Sequence, residues 1–156
     1  VKANPSENIG LTYDRVLNTT TGPDGLSYSG QLKFGQSSIT AARWETGLDK
    51  SNVVGAVTSI SGYRFNLLSS KYTTAGVQTK GNSVGLQKQL GNSPYTFMTT
   101  YGKKTGADAT DLTAYNVGVD YAFSKRTHGQ VLYRKVNADN NSLDTKQVAL
   151  GLIHSF

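Results

Sequence analysis

Five charged side chains alternate with apolar neighbours, and this spacing indicates electrostatic chemistry rather than catalysis. Lys33, Arg64, Asp120 and Arg134 each lie on the polar parity of an alternating segment, and Lys104 lies at the end of another. In a β-strand, residues of one parity share one face. Four basic positions against one acidic position predict a face that attracts small anions and disfavours cations, although each charge alone could simply solvate a wet surface.

The two histidines are weak candidates for catalysis or metal binding. The chain contains no cysteine, which excludes disulfides, zinc-thiolate sites and thiol nucleophiles. His128 follows a turn and His154 lies on an apolar parity, so neither has an expected Ser and Asp neighbour within hydrogen-bond reach. We interpret both as interfacial side chains and expect no enzyme activity, no metal and no cofactor.

The elements that would position the five charges are two-faced β-strands. Aromatic and aliphatic residues alternate with small or polar ones, and aromatics stand at many strand ends, as in the girdles of membrane barrels. The pattern predicts nine strands near the 9 to 11 residues that a tilted membrane strand needs. They lie at residues 9–13, 26–34, 54–60, 63–67, 84–90, 95–101, 115–123, 129–133 and 146–156.

The C-terminal segment shows the pattern most clearly. The residues of one parity are Val148, Leu150, Leu152, His154 and Phe156, and the opposite parity is small or polar except at Ile153. This arrangement is the inverse of a soluble sheet and predicts that the apolar side faces lipid. A soluble edge strand is the alternative, but it would not explain why the alternation recurs along the chain.

Composition agrees with a polar-lined barrel. Only 37% of the residues are hydrophobic and the mean hydropathy is −0.39, which is thin for a packed core, whereas 17 Gly, 9 Tyr and 5 Phe suit alternating strands. No apolar run approaches the roughly 18 residues of a membrane helix. The net charge of +6 is scattered singly along the chain, so we expect no nucleic-acid binding.

The connections predict a topology. Short turns are expected at 61–62, 91–94 and 124–127, and longer polar loops at 35–51, 74–81, 105–113 and 137–144. Barrel turns are short on the periplasmic side, so the longer loops are expected outside. Lys88 fits poorly, because it shares the lipid parity with Leu86 and Leu90. It must extend to the interface, face a neighbouring subunit, or reveal an error in register.

Three segments resemble the general, sixteen-stranded porins of Gram-negative bacteria, especially the betaproteobacterial and neisserial type. Residues 117–127 (VGVDYAFSKRT) are similar to the penultimate hairpin of that family, and 149–156 (ALGLIHSF) to its C-terminal ending. Residues 8–14 (NIGLTYD), with the following hairpin, resemble a segment near the middle of such porins.

The resemblance implies a transmembrane antiparallel β-barrel in the outer membrane, assembled as a homotrimer among membrane lipid and lipopolysaccharide. It further implies that the ending with Phe156, together with His154, Leu152, Leu150 and Val148, is recognised by the barrel-assembly machinery. The family's constriction loop would lie in a part of the barrel outside this sequence, so its residues cannot be assigned here.

Residues 1–156 are expected to form a single barrel domain, and two arrangements remain open. In the favoured one, nine strands form the C-terminal part of a sixteen-stranded barrel, because an open sheet edge is not tolerated in lipid. In the other, residues 39–46 add a tenth strand and the chain closes alone. The first predicts a diffusion channel for small anions and hydrophilic solutes, and the second a small barrel with a structural or adhesin role.

Overall fold

The computed structural model describes residues 2–6, 8–16, 25–106, 109–139 and 144–155. In this part of the chain, regular structure consists of antiparallel β-strands. They are β1 Lys2–Ser6, β2 Ile9–Val16, β3 Gly25–Phe34, β4 Ser37–Thr46, β5 Asp49–Ile60, β6 Tyr63–Thr74, β7 Val77–Gln89, β8 Tyr95–Gly106, β9 Ala109–Ala122, β10 Thr127–Ala138 and β11 Thr145–His154.

The strands form one sheet in which every neighbour in space is also a neighbour in sequence, from β1 at one edge to β11 at the other. This up-and-down order confirms the predicted class of fold, because outer-membrane barrels are built as antiparallel meanders. Within the described residues, β1 and β11 do not pair with each other. The alternative of a self-contained ten-stranded barrel is therefore wrong.

The predicted number of nine strands is also wrong, since the described part of the chain contains eleven. The first addition is β1, which pairs with β2, so the strand at residues 9–13 finds its partner within this sequence. The second is β4, which lies in the segment that the favoured arrangement treated as a long loop at 35–51 and contains the extra strand at 39–46 that the alternative arrangement predicted. Gly35 and Gly47 have positive φ angles of 59° and 57°, and each begins a two-residue turn that sends the chain straight back.

The connections fall at two ends of the sheet. The Ser61 end carries the connections at 35–36, 61–62, 90–94 and 123–126, and the Leu48 end carries the described ones at 47–48 and 75–76. The three predicted short turns do lie together at the Ser61 end. The expected long loop at 74–81 is instead a two-residue turn at Ala75 and Gly76, so loop lengths do not alternate as predicted.

The sheet has no conventional hydrophobic core. Ala138 is the one apolar side chain that is buried among the described residues, whereas Leu150 and Leu152 are 79% and 72% exposed. The strands are held together by ten antiparallel pairings between consecutive strands, β1 with β2 through β10 with β11. Among the described residues, no helix is long and apolar enough to span a membrane.

Candidate functional site: the polar face of the sheet

The strand register places the five predicted residues on one face. Cross-strand partners share a face, and the pairings run without interruption from Lys33 through Ser38, Val57, Asn66, Gly85, Thr100 and Asn116 to Arg134. Arg64, Lys104 and Asp120 lie on the same face by strand alternation. We call this face, which carries most of the Ser, Thr, Asn and Gln side chains of the strands, the polar face.

The four basic members differ from the acidic one in exposure. Lys33, Arg64, Lys104 and Arg134 are all exposed, whereas Asp120 is only 9% exposed. Among the described residues of this face, the four cationic side chains are therefore exposed to the solvent in front of the sheet, where they set the electrostatic potential. The carboxylate is instead engaged with its neighbours.

Asp120 forms a small network near the Ser61 end. Gln130 Nε2 donates to Asp120 Oδ2 at 3.1 Å, and His128 Nδ1 lies 3.1 Å from Asp120 Oδ1. The expectation that His128 lacks an Asp neighbour is therefore wrong, because the hairpin between β9 and β10 brings the two side chains together. Among the described residues, no hydroxyl is bonded to this histidine, so the pair lacks a nucleophile.

Two acidic residues of the polar face were missed by the sequence analysis. Asp14 pairs with Ser27, and Asp49 pairs with Thr46, which places both on this face near the Leu48 end. Asp49 Oδ1 accepts a hydrogen bond of 3.1 Å from the Ala75 backbone N–H. The balance over β2 to β11 is therefore four basic against three acidic residues, not four against one. Strand parity at residues 9–13 already placed Asp14 on this face.

Two large aromatic residues also lie on the polar face. Trp44 pairs with Ser51, and Ser51 pairs with Tyr72, so the two aromatic side chains flank one small residue. Trp44 is 44% exposed and Tyr72 is 48% exposed, while Ser51 between them is buried. Tyr72 could have been placed on this face from the sequence, because it has the same parity as Arg64. Trp44 could have been placed only in the alternative arrangement, which has a strand at 39–46.

The opposite, apolar face carries the aliphatic and aromatic residues that were predicted to meet lipid. Val148, Leu150 and Leu152 are 70–79% exposed there, and His154 shares their face, with its Nδ1 2.9 Å from Thr127 Oγ1. Tyrosine rings pair across strands at both ends, as Tyr95 with Tyr121 and Tyr101 with Tyr115. The predicted C-terminal anchor, Phe156, lies outside the described residues.

Three lysine residues lie on the apolar face toward the Leu48 end. Lys71 and Lys80 are direct cross-strand partners, and Lys103 Nζ lies 3.6 Å from Asp111 Oδ2. An apolar groove of about 500 Å³ begins beside Lys103 and is lined by Val54, Leu67, Val84 and Tyr101, among others. Cationic side chains thus border an apolar surface at one end of the sheet.

Comparisons with known proteins agree on the fold. No protein-family model and no curated protein matches the sequence. The chain is similar to OmpF of Salmonella typhi in complex with daunomycin, with a TM-score of 0.70 and 17% identity over 95% of this chain and 56% of that chain. It is also similar to the anion-selective porin from Comamonas acidovorans, with a TM-score of 0.76 and 12% identity over 99% and 53%.

The chain spans about half the length of each of these porins. At such identities the likeness defines the fold, which is that of the Gram-negative outer-membrane porins. The narrower resemblance to the neisserial type is not confirmed by these comparisons.

Proposed function

We propose that this chain forms the wall of a water-filled channel in the outer membrane through which small hydrophilic solutes and ions diffuse passively. The observation that carries the proposal is the separation of the two faces. One face of the sheet exposes aliphatic and aromatic side chains, while the other carries charged, hydroxyl and amide groups. Such a sheet is stable in a bilayer only when its polar face encloses water.

A channel of this kind requires a closed barrel. We propose that the outer edges of β1 and β11 pair with further strands, so that residues 1–156 act as the C-terminal part of a larger barrel. Each unpaired backbone group at an edge would cost several kcal/mol in hydrocarbon, which favours closure strongly. The two porins of similar fold are about twice as long as this chain, which supports this arrangement.

We further propose that the channel prefers anions. Lys33, Arg64, Lys104 and Arg134 are all exposed, whereas of the three acidic residues on the same face only Asp14 is exposed. Exposed charges govern the potential in the lumen, so the near balance of formal charge still leaves a positive surface. One porin of similar fold is described as anion-selective, which is consistent with this preference.

The proposed partners follow from the apolar face. The cations at the Leu48 end would meet the phosphates of lipopolysaccharide while the groove beside Lys103 receives an acyl chain, which would place this end outside. A homotrimer and recognition of the C-terminal strand by the barrel-assembly machinery are proposed from the family resemblance alone. Small anions and neutral solutes would be the permeating species.

The test is conductance and reversal potential in planar bilayers, with protein expressed from the complete coding sequence. We expect stable stepwise increases in ion current, as water-filled channels insert, and a reversal potential that indicates anion preference. The double variant Arg64→Glu, Arg134→Glu should shift it toward cations, and less so at high salt, because the Debye length falls from ~10 Å at 0.1 M to ~3 Å at 1 M. Lys146→Glu, on the apolar face, is the matched control and should leave selectivity unchanged. Absence of conductance would refute the channel, and native cation selectivity would refute the anion preference.

A further inference from the structure

We infer that Trp44 and Tyr72 form a binding site for the sugar ring of a neutral saccharide on the polar face; this inference rests on the proposed channel. Both aromatic side chains lie on the face that carries most of the charged, hydroxyl and amide groups of the strands, and both remain nearly half exposed. Large aromatics on a water-facing surface cost solvation unless a ligand covers them. A ligand with an apolar face would cover this exposed aromatic surface favourably.

The spacing of the two side chains fits one ring. Trp44 and Tyr72 are separated by a single strand residue, Ser51, on the intervening strand. Two antiparallel neighbours place their Cα atoms ~5 Å apart, so the backbones of the two aromatics are ~10 Å apart. A ring in van der Waals contact with both sides needs ~4 Å on each face, which this gap provides. Ser51 is small and lies between the two aromatics, so its own side chain adds little bulk to the gap.

Two cavities, one beside each aromatic side chain, carry polar groups that match a polyhydroxylated ligand. A cavity of about 210 Å³ beside Trp44 is lined by Thr12, Asp14, Ser27 and Ser51, among others. A second, of about 490 Å³, is lined by Tyr72 together with Ser70, Thr74, Thr79 and Lys104. Serine and threonine hydroxyls both donate and accept hydrogen bonds, as the hydroxyls of a sugar do.

The charges favour a neutral ligand over an ionic one. Asp14 contributes a carboxylate on the Trp44 side, and Lys104 an ammonium on the Tyr72 side. An organic cation stacked on Trp44 would gain from Asp14 but be repelled by Lys104, and an anion would face the reverse. A saccharide uses the carboxylate as an acceptor and the ammonium as a donor, with no net Coulomb penalty.

The experiment measures block of the ion current in planar bilayers by maltose, with sorbitol at equal osmolality as the matched polyol that has no ring. The channel is produced from the complete coding sequence. We expect maltose to reduce the current saturably and sorbitol to have only the small effect of added viscosity. Trp44→Leu and Tyr72→Leu should each raise the half-blocking maltose concentration about tenfold, which is the loss of affinity expected when one stacking contact is removed. Tyr133→Leu, on the apolar face, should not change it.

A second readout keeps the inference testable if the leucine variants fold poorly. Trp44 is the single tryptophan of this sequence, so the difference in emission between the native channel and Trp44→Phe reports on this position. Maltose should change that difference signal over the same concentration range as the current block. Normal conductance with no saturable maltose effect, or block by phenyltrimethylammonium in place of maltose, would overturn the sugar site while leaving the channel intact. Loss of conductance in the native protein would instead refute the channel itself.

Discussion

The ammonium group of Lys88 lies over the ring of Tyr63, 3.8 Å from the ring centroid, and the two residues are direct cross-strand partners. Lys88 Nζ also donates to the Ser61 backbone carbonyl at 3.1 Å. The charge that fitted poorly on the apolar face therefore extends to the turn at the Ser61 end, where the interface with water is expected. Of the three explanations that the sequence left open, these two contacts favour extension to the interface.

The first prediction concerns the energy of this contact. Lys88→Gln and Tyr63→Leu, measured singly and together, should give a coupling free energy of ~0.5–2 kcal/mol, the range of cation–π pairs. The measurement is urea unfolding of the protein refolded into lipid vesicles. Lys80→Gln is the control on the same strand and face. Because Lys80 stands opposite Lys71, its removal should be neutral or stabilising. Zero coupling between Lys88 and Tyr63 would contradict the prediction.

The second prediction concerns the turn between β6 and β7. Ala75 has a φ angle of 49°, in the left-handed region, and is followed by Gly76 at 85°. A residue with a Cβ atom is strained there by ~1–2 kcal/mol, so Ala75→Gly should raise the free energy of unfolding by about 0.5–1 kcal/mol after the added chain entropy is subtracted. The hydrogen bond from the Ala75 backbone to Asp49 is retained.

Gly76→Ala is the opposite change in the same turn and should lower stability, because it introduces the strain that Ala75→Gly removes. Urea unfolding in lipid vesicles measures both variants. Equal stability of the native protein and Ala75→Gly would mean that the turn does not hold this conformation in the membrane.

The third prediction concerns Asp120, which is buried and bonded to Gln130 and His128. Asp120→Leu leaves these two polar side chains without their partner and should cost ~1–3 kcal/mol of stability. Asp120→Asn retains an acceptor oxygen and should cost less. Because the carboxylate is buried in the network, Asp120→Asn should move ion selectivity less than Asp14→Asn, whose carboxylate is exposed. A larger selectivity change at Asp120 would contradict this assignment.

Strict alternation made most of the fold predictable. The segments at 115–123 and 146–156 repeat large and small residues with Ile153 as the main exception, and both lie on observed strands, although β11 ends at His154. β4 contains residues 39–46, which were predicted as a strand only in the alternative arrangement, because a strand there breaks the expected alternation of short and long connections. β1 is five residues long and includes Pro5, so it gave too little pattern.

The candidate site was predictable in its parity but not in its contacts. Strand alternation alone placed Lys33, Arg64 and Arg134 on one face, because the face of a residue follows from its odd or even position in the strand. The network of Asp120 with His128 and Gln130 depends on the hairpin register, which sets Gln130 directly opposite Asp120. The gap between Trp44 and Tyr72 depends on two strand pairings at once, β4 with β5 and β5 with β6, and the favoured arrangement did not contain β4.

The last prediction concerns Gly118, where β9 is crowded by both neighbours on the polar face. A Cβ atom at this position would lie 2.9 Å from the carbonyl oxygen of Val131 and 2.9 Å from a methyl group of Leu132, with Met98 at 3.3 Å on the other side. The side chains could rotate away, but the Val131 carbonyl belongs to the backbone ladder and cannot move without disturbing the pairing of β9 with β10. Gly118→Ala should therefore destabilise the protein by ~1–3 kcal/mol, even though alanine is the better strand former.

Gly151→Ala, two strands away on the same face, is the matched control. The nearest atom to its added methyl group is Gln130 Cβ at 3.9 Å, an ordinary contact, so this variant should be as stable as the native protein or slightly more stable. Urea midpoints in lipid vesicles and the shift between folded and heat-denatured bands on a gel measure both variants. Equal stability of Gly118→Ala and Gly151→Ala would show that β9 and β10 are not packed as closely at Gly118 as the register requires.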